Sequence, residues 1–195
     1  MLRDASAAQH VAYALQLALC GVFVASVALK LRRPGAFARN VADYGLLPRS
    51  RAVVVAAAAT IVAVEALLAL AFFVGAILEV AVAVAAFMLL AFGAGIQINL
   101  RRGRTIPCGC FGNDAELISG HSLVRIALLL GAVCTLAVLL ALPAVHVVTV
   151  SDVMDEPEYL IEAGGIAVVL GLAALWSLNA RSVAAVADAL RNQPS

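Results

Sequence analysis

The sequence predicts an all-α protein: a polytopic bundle of transmembrane helices with four core spans and a fifth near the C-terminus. Three observations carry that expectation. Of the 195 residues, 64% are hydrophobic and only 13% are charged, where soluble domains carry about 25% charged residues. Mean hydropathy is +1.04, and a soluble fold of this length could not cover so much apolar surface. The apolar residues fall into runs near the roughly 20 residues that a helix needs to cross about 30 Å of hydrocarbon. These runs lack the apolar–polar alternation of a membrane barrel. The net charge of +1 decides nothing, because the charges are segregated along the chain.

The runs follow in order. Residues 1–10 carry Arg3, Asp4 and His10 and lead to no small-residue cleavage site, so no signal peptide is expected. Val11 to Leu31 is the first span. A surface helix follows: Phe37, Val41 and Tyr44 fall at i, i+4 and i+7, with Arg39, Asn40 and Asp43 on other faces, between Pro34 and Pro48. Ala52 to Val74 is the second span and Ala76 to Leu100 the third, split at Val74-Gly75 because the joined run is too long for one crossing. Glu79 then lies near an interface. His121 to Leu142 is the fourth span, and Leu160 to Ala180 the fifth. Residues 1–142 form the core domain; 143–195 hold an acidic loop, the extra span and a short tail. Tyr159 and Trp176 suit interfacial anchoring.

Basic residues orient the bundle. Lys30, Arg32, Arg33, Arg39, Arg49 and Arg51 follow the first span, Arg101, Arg102 and Arg104 the third, and Arg181 and Arg191 the fifth. The loop between spans four and five is acidic. Lys and Arg favour the cytoplasmic side. The expectation is a multi-pass protein of the bacterial plasma membrane, with the N-terminus outside, and the C-terminus and the 101–120 loop cytoplasmic.

That loop reads RRGRTIPCGCFGND and carries the chemistry. A disulfide between Cys108 and Cys110 would close a small, strained ring, and strained disulfides are the oxidising, labile kind. Gly109 clears the closure and Pro107 restricts the approach. Arg101, Arg102 and Arg104 are near in sequence, and nearby cations favour the nucleophilic thiolate. Thiol–disulfide exchange is the reading this neighbourhood suits. Two others stand beside it: inert thiols in a turn, and a soft metal set of Cys108, Cys110 and His121, which no second C-x-C or His cluster completes. No metal site is therefore expected. Cys20 and Cys134 are mid-span, where free cysteine usually acts as a small hydrophobe; the other reading is a relay pair. Glu65 in the middle of span two must face the interior and be neutral or paired, with Lys30, Arg125, Gln97 and Asn99 as possible partners. It is either functional or a polar pin between helices. Asn99 is expected to cap or snorkel. None of His10, His121 and His146 is assigned catalysis. No phosphate loop, Ser-His-Asp set or nucleic-acid surface is present.

Four stretches, ALKLRRPGAFARNVADYGLLP (28–48), VEALLAL (64–70), INLRRGRTIPCGCFG (98–112) and LVRIALLL (123–130), resemble the methylamine utilisation protein MauE family, relatives of DoxX-type membrane proteins. The resemblance covers roughly residues 12 to 142. It implies a bundle of four core helices and a role in maturing or exporting a disulfide-rich extracytoplasmic client, such as the small subunit of methylamine dehydrogenase, beside a thioredoxin-like partner. Matching positions are Lys30, Pro34, Phe37, Tyr44, Pro48, Glu65, Asn99, Arg101, Gly103, Cys108, Gly109, Cys110, Phe111, Gly112 and Arg125. On this reading Cys108 and Cys110 are the catalytic pair of a membrane thiol–disulfide oxidoreductase, with Lys30, Tyr44, Glu65, Asn99, Arg101, Arg104 and Arg125 in support. The other reading is a non-enzymatic scaffold in which CGCFG is a structural turn. A quinone acceptor would follow by analogy with other membrane thiol oxidases, although no residue requires one. A periplasmic client favours thiols outside, whereas the arginines place them inside; either the bias misleads, or the pair draws electrons from the cytoplasmic side.

Overall fold

The structure is a computed structural model that describes residues 2–48, 50–104, 106–107, 117–143, 145, 147 and 149. Five helices follow in order: α1 (Leu2–Arg32), α2 (Pro34–Asp43), α3 (Arg51–Val74), α4 (Leu78–Arg101) and α5 (Gly120–Leu140). Four of them are long and apolar enough to cross a membrane. All four core spans are thus helices; spans two to four keep within a few residues of the expected bounds, whereas α1 begins nine residues before Val11. The acidic loop and the expected fifth span lie outside the described residues.

Local chemistry sets the helix ends. Helix α1 begins well before Val11 because Ala5, Ala7 and Ala8 continue it with strong helix formers. Pro34 occupies the first turn of α2, where its missing N–H costs nothing. Helix α3 stops at Gly75, whose φ of 80° is left-handed and whose N–H bonds Ala71 O at 2.9 Å. Three residues later α4 starts, so the break expected at Val74-Gly75 is a tight antiparallel turn. At the far end of α4, Gly103 N–H bonds Leu100 O at 3.0 Å and Arg104 N–H bonds Asn99 O at 3.1 Å, with Gly103 at φ 65°. That is the Schellman pattern, which needs a residue free to adopt positive φ.

Helices α1 and α3 pack antiparallel, and polar side chains stitch the seam. Gln16 Nε2 donates to Phe72 O at 2.8 Å, Cys20 Sγ to Ala69 O at 3.3 Å, and Ser26 Oγ to Glu65 Oε2 at 3.2 Å. Phe72 O belongs to the last turn of α3, where carbonyls have no intrahelical donor, so Gln16 satisfies a group the helix leaves open. Phe23 and Phe72 stack 5.8 Å apart at 7°. Around them Leu19, Leu68, Leu78, Ala81, Ala85, Val133 and Leu136 form one buried core drawn from α1, α3, α4 and α5.

Helix α2 departs from the expected face. It buries Ala36, Phe37 and Asn40, with Val41 and Tyr44 half-buried, and packs on α3 and α1. Asn40 was expected on a polar outer face; packing against the bundle outweighs the helix's own apolar period.

Candidate functional site

The polar residues expected to matter gather at the α2 end of the bundle. Lys30 and Glu65 are 1% and 2% exposed, and their side chains form a direct ion pair. Ser26 sits one turn before Lys30 on α1 and completes the set: it donates to Glu65 and accepts from Lys30 Nζ at 2.9 Å. The rings of Phe37 from α2 and Phe92 from α4 stand 5.1 and 5.7 Å from Nζ, within cation–π range. Of the four partners expected for Glu65, the structure selects Lys30. A lone charge at this depth is costly; pairing with hydrogen bonds on both members offsets that cost. Sequence reasoning missed Ser26, although its i, i+4 spacing to Lys30 was the available signal.

A second cluster joins the end of α4 to the end of α2. Asn99 is 0% exposed. Its Nδ2 donates to Tyr44 O at 3.2 Å and Gly95 O at 3.0 Å, and its Oδ1 accepts from Arg104 at 3.4 Å. The expectation that Asn99 caps or snorkels is therefore corrected: it is a buried clasp, because the chain after α2 folds back over it. Arg104 Nη1 also lies 3.4 Å from Asp43 O and 3.5 Å from Tyr44 O, covering the open carbonyls of the α2 C-terminus. Gly45 makes room. Its φ is 63°, and a Cβ there would stand 2.6 Å from Arg104 Nη1.

Beyond Arg104 the chain turns across the bundle end. Pro107 pairs antiparallel with Leu117, and Ile118 N–H bonds Ile106 O at 2.9 Å. The two ends of the 108–116 stretch are thus held side by side. Cys108 and Cys110 themselves lie outside the described residues. Arg101 is exposed at the α4 terminus; Arg125 is half-buried near the start of α5, and His121 is half-buried in its first turn. Among the described residues no group of three His, Cys, Asp or Glu side chains could hold a metal; the set built on Cys108 and Cys110 falls outside them. Cys20 and Cys134 are both free thiols, the first bonded to the α3 backbone and the second exposed on α5. No disulfide joins the two.

A cavity of about 490 Å³ lies beside the ion pair, bounded by Lys30, Phe37, Tyr44, Ile61, Phe92 and Gly95. Small residues make it: Gly95 is buried and lets the Tyr44 ring lie against α4.

Four apolar helices tied by a buried Lys–Glu pair and an Asn–Arg clasp define a multi-pass membrane protein. Comparison with known sequences gives the family. The family model for methylamine utilisation protein MauE matches residues 8–143. A curated relative, methylamine utilization protein MauE of Paracoccus denitrificans, is 38% identical over 135 residues, which is 69% of this chain and 71% of the relative. The chain belongs to the methylamine utilisation protein MauE family. No solved structure matches it.

Proposed function

We propose that this MauE-family membrane protein serves methylamine utilisation by supporting thiol–disulfide exchange for an extracytoplasmic client. The observation that carries this reading is the pairing of Pro107 with Leu117, which brings the two ends of the 108–116 stretch together, a few residues along the chain from Arg104. The step balances as follows. Cys108 thiolate attacks a disulfide of a thioredoxin-like partner, forming a mixed disulfide and releasing one partner thiolate. Cys110 then attacks Cys108 Sγ, releasing the second. The loop pair ends oxidised and the partner reduced; run in reverse, the loop disulfide oxidises the partner, which passes oxidising equivalents to a disulfide-rich client. Arg101 and Arg104 favour the loop thiolate, which is the nucleophile in the first direction and the leaving group in the reverse. Cys110→Ser should accumulate a mixed disulfide, visible as a reducible higher-mass band with the partner. If Cys108→Ser and Cys110→Ser each leave client maturation at the native level, exchange is excluded. Labelling Cys108 with an impermeant maleimide from each side tests the proposed cytoplasmic placement of the loop.

A second reading, a non-enzymatic scaffold, draws on the networks just described. Lys30, Glu65, Tyr44 and Asn99 all match the family, and all make contacts that hold helices together. It expects loss of client maturation in Asn99→Ala and full retention when both loop cysteines are serine.

A further inference from the structure

The cavity beside Lys30 is unexplained by thiol chemistry or by helix packing. Its rim includes Thr60 on α3 and Ala91 on α4, and both are exposed. Thr60 lies nine residues into α3 from Arg51, and Ala91 ten residues before Arg101. At 1.5 Å per residue each is therefore roughly 14–15 Å from the charged end of its helix. Those helices are apolar and long enough to span the membrane, so this side of the cavity opens into hydrocarbon and admits ligands that dissolve in lipid.

The polar end is the Lys30–Glu65 pair. Its charges cancel, so a charged ligand head would leave a net charge deep in an apolar site, which is costly. The ammonium has three N–H groups. Ser26 and Glu65 take two of them, which leaves one for an acceptor oxygen. The Phe37 and Phe92 rings, which also line the cavity, stand 5.1 and 5.7 Å from Nζ. The size suits a small-molecule site, which typically runs about 300–1,000 Å³ with an apolar lining and few polar groups.

We propose that this cavity binds an uncharged, lipid-soluble molecule whose head presents a carbonyl oxygen to Lys30 and whose apolar body lies between α3 and α4. The carbonyl can come from a quinone-type ring or from the ester of a neutral glyceride. The inference stands on the cavity and does not depend on the exchange reading.

The test uses the full chain purified in detergent, titrated with decylubiquinone, dioctanoylglycerol and laurate, and followed by native mass spectrometry and by Tm. At least one neutral probe should bind one per chain and raise Tm; whichever does identifies the head as ring or ester. Ala91→Trp, which blocks the rim, should weaken that binding at least tenfold. Leu67→Trp, on an exposed position outside the cavity, should leave it unchanged. Thr60→Trp, from the opposite side of the rim, repeats the test should Ala91→Trp fold poorly. Three results overturn the proposal: no neutral probe binds, laurate binds more tightly than both neutral probes, or the rim variants bind as the native protein does.

Discussion

The half of the bundle nearest the Gly75 turn and the half nearest α2 are made of different materials. In the first, Phe23 stacks on Phe72, and Leu19, Leu68, Leu78, Ala81 and Ala85 fill the space between four helices. Its inward polar groups, Gln16 and Cys20, bond backbone carbonyls of α3. The second half holds Ser26, Lys30 and Glu65, then Asn99 and Arg104, and a cavity of about 490 Å³. In lipid, apolar burial alone does not drive helices together, and close packing with polar ties does. The dry half supplies packing. The polar half supplies ties with directed geometry, and it is there that α2 and the loop base are fixed.

The largest effect should come from splitting the ion pair. Glu65→Ala leaves Lys30 buried and uncompensated, and should cost about 3–5 kcal/mol, read as a lowered unfolding midpoint in detergent. Lys30→Met together with Glu65→Leu should recover most of the loss, because no isolated charge remains. If the double variant is as unstable as the single, the pair is more than a neutralised couple, and the polar half needs its charges.

Next is the dry half. Phe72→Ala removes the stacked ring and opens a void where Phe72 is 0% exposed. Such truncations cost about 3–5 kcal/mol in water-soluble cores. Here part of that, the transfer from water, is absent, so roughly 2 kcal/mol is expected by the same midpoint measurement. A larger loss from Phe72→Ala than from Glu65→Ala would reverse the ranking of the two halves.

The legible and illegible parts of the molecule divide along the same line. Each core span could be read from its run of apolar residues, since lipid forces every backbone bond inside a helix. The buried partner of Glu65 was narrowed to four residues and no further, because choosing Lys30 depends on which faces of α1 and α3 meet. Asn99 misled for a related reason: its place near a helix end suggests exposure, and only the return of the chain through Tyr44 and Gly45 buries it. Periodicity within ten residues of α2 could not show that Asn40 turns inward, because that face is chosen by the bundle.

Gly45→Ala tests how tightly the polar half is fastened. At φ 63° an added Cβ costs about 1–2 kcal/mol of backbone strain, and it would stand 2.6 Å from Arg104 Nη1. The guanidinium must then leave the α2 carbonyls. A midpoint loss of about 1–2 kcal/mol is expected, with faster hydrogen exchange at the C-terminal turn of α2 and none at the Gly75 end. Exchange that rises equally at both ends would show that the two halves do not open independently.

The smallest stability effect should be that of Arg104→Ala. Its bonds to Asp43 O, Tyr44 O and Asn99 are 3.4–3.5 Å long and the side chain is exposed, so less than about 0.5 kcal/mol is expected. Its value is that the two functional readings part here. Under exchange, removing a cation beside the loop raises the Cys108 thiol pKa, so less thiolate is present at neutral pH. The rate of alkylation by iodoacetamide should fall, and its pH profile should move to higher pH. Arg104→Lys keeps the charge but lacks the guanidinium Nη1 that contacts all three acceptors, so it should retain the native profile while loosening the α2 terminus. Under the scaffold reading the order inverts: both variants lose the clasp alike, and the alkylation profile of neither moves.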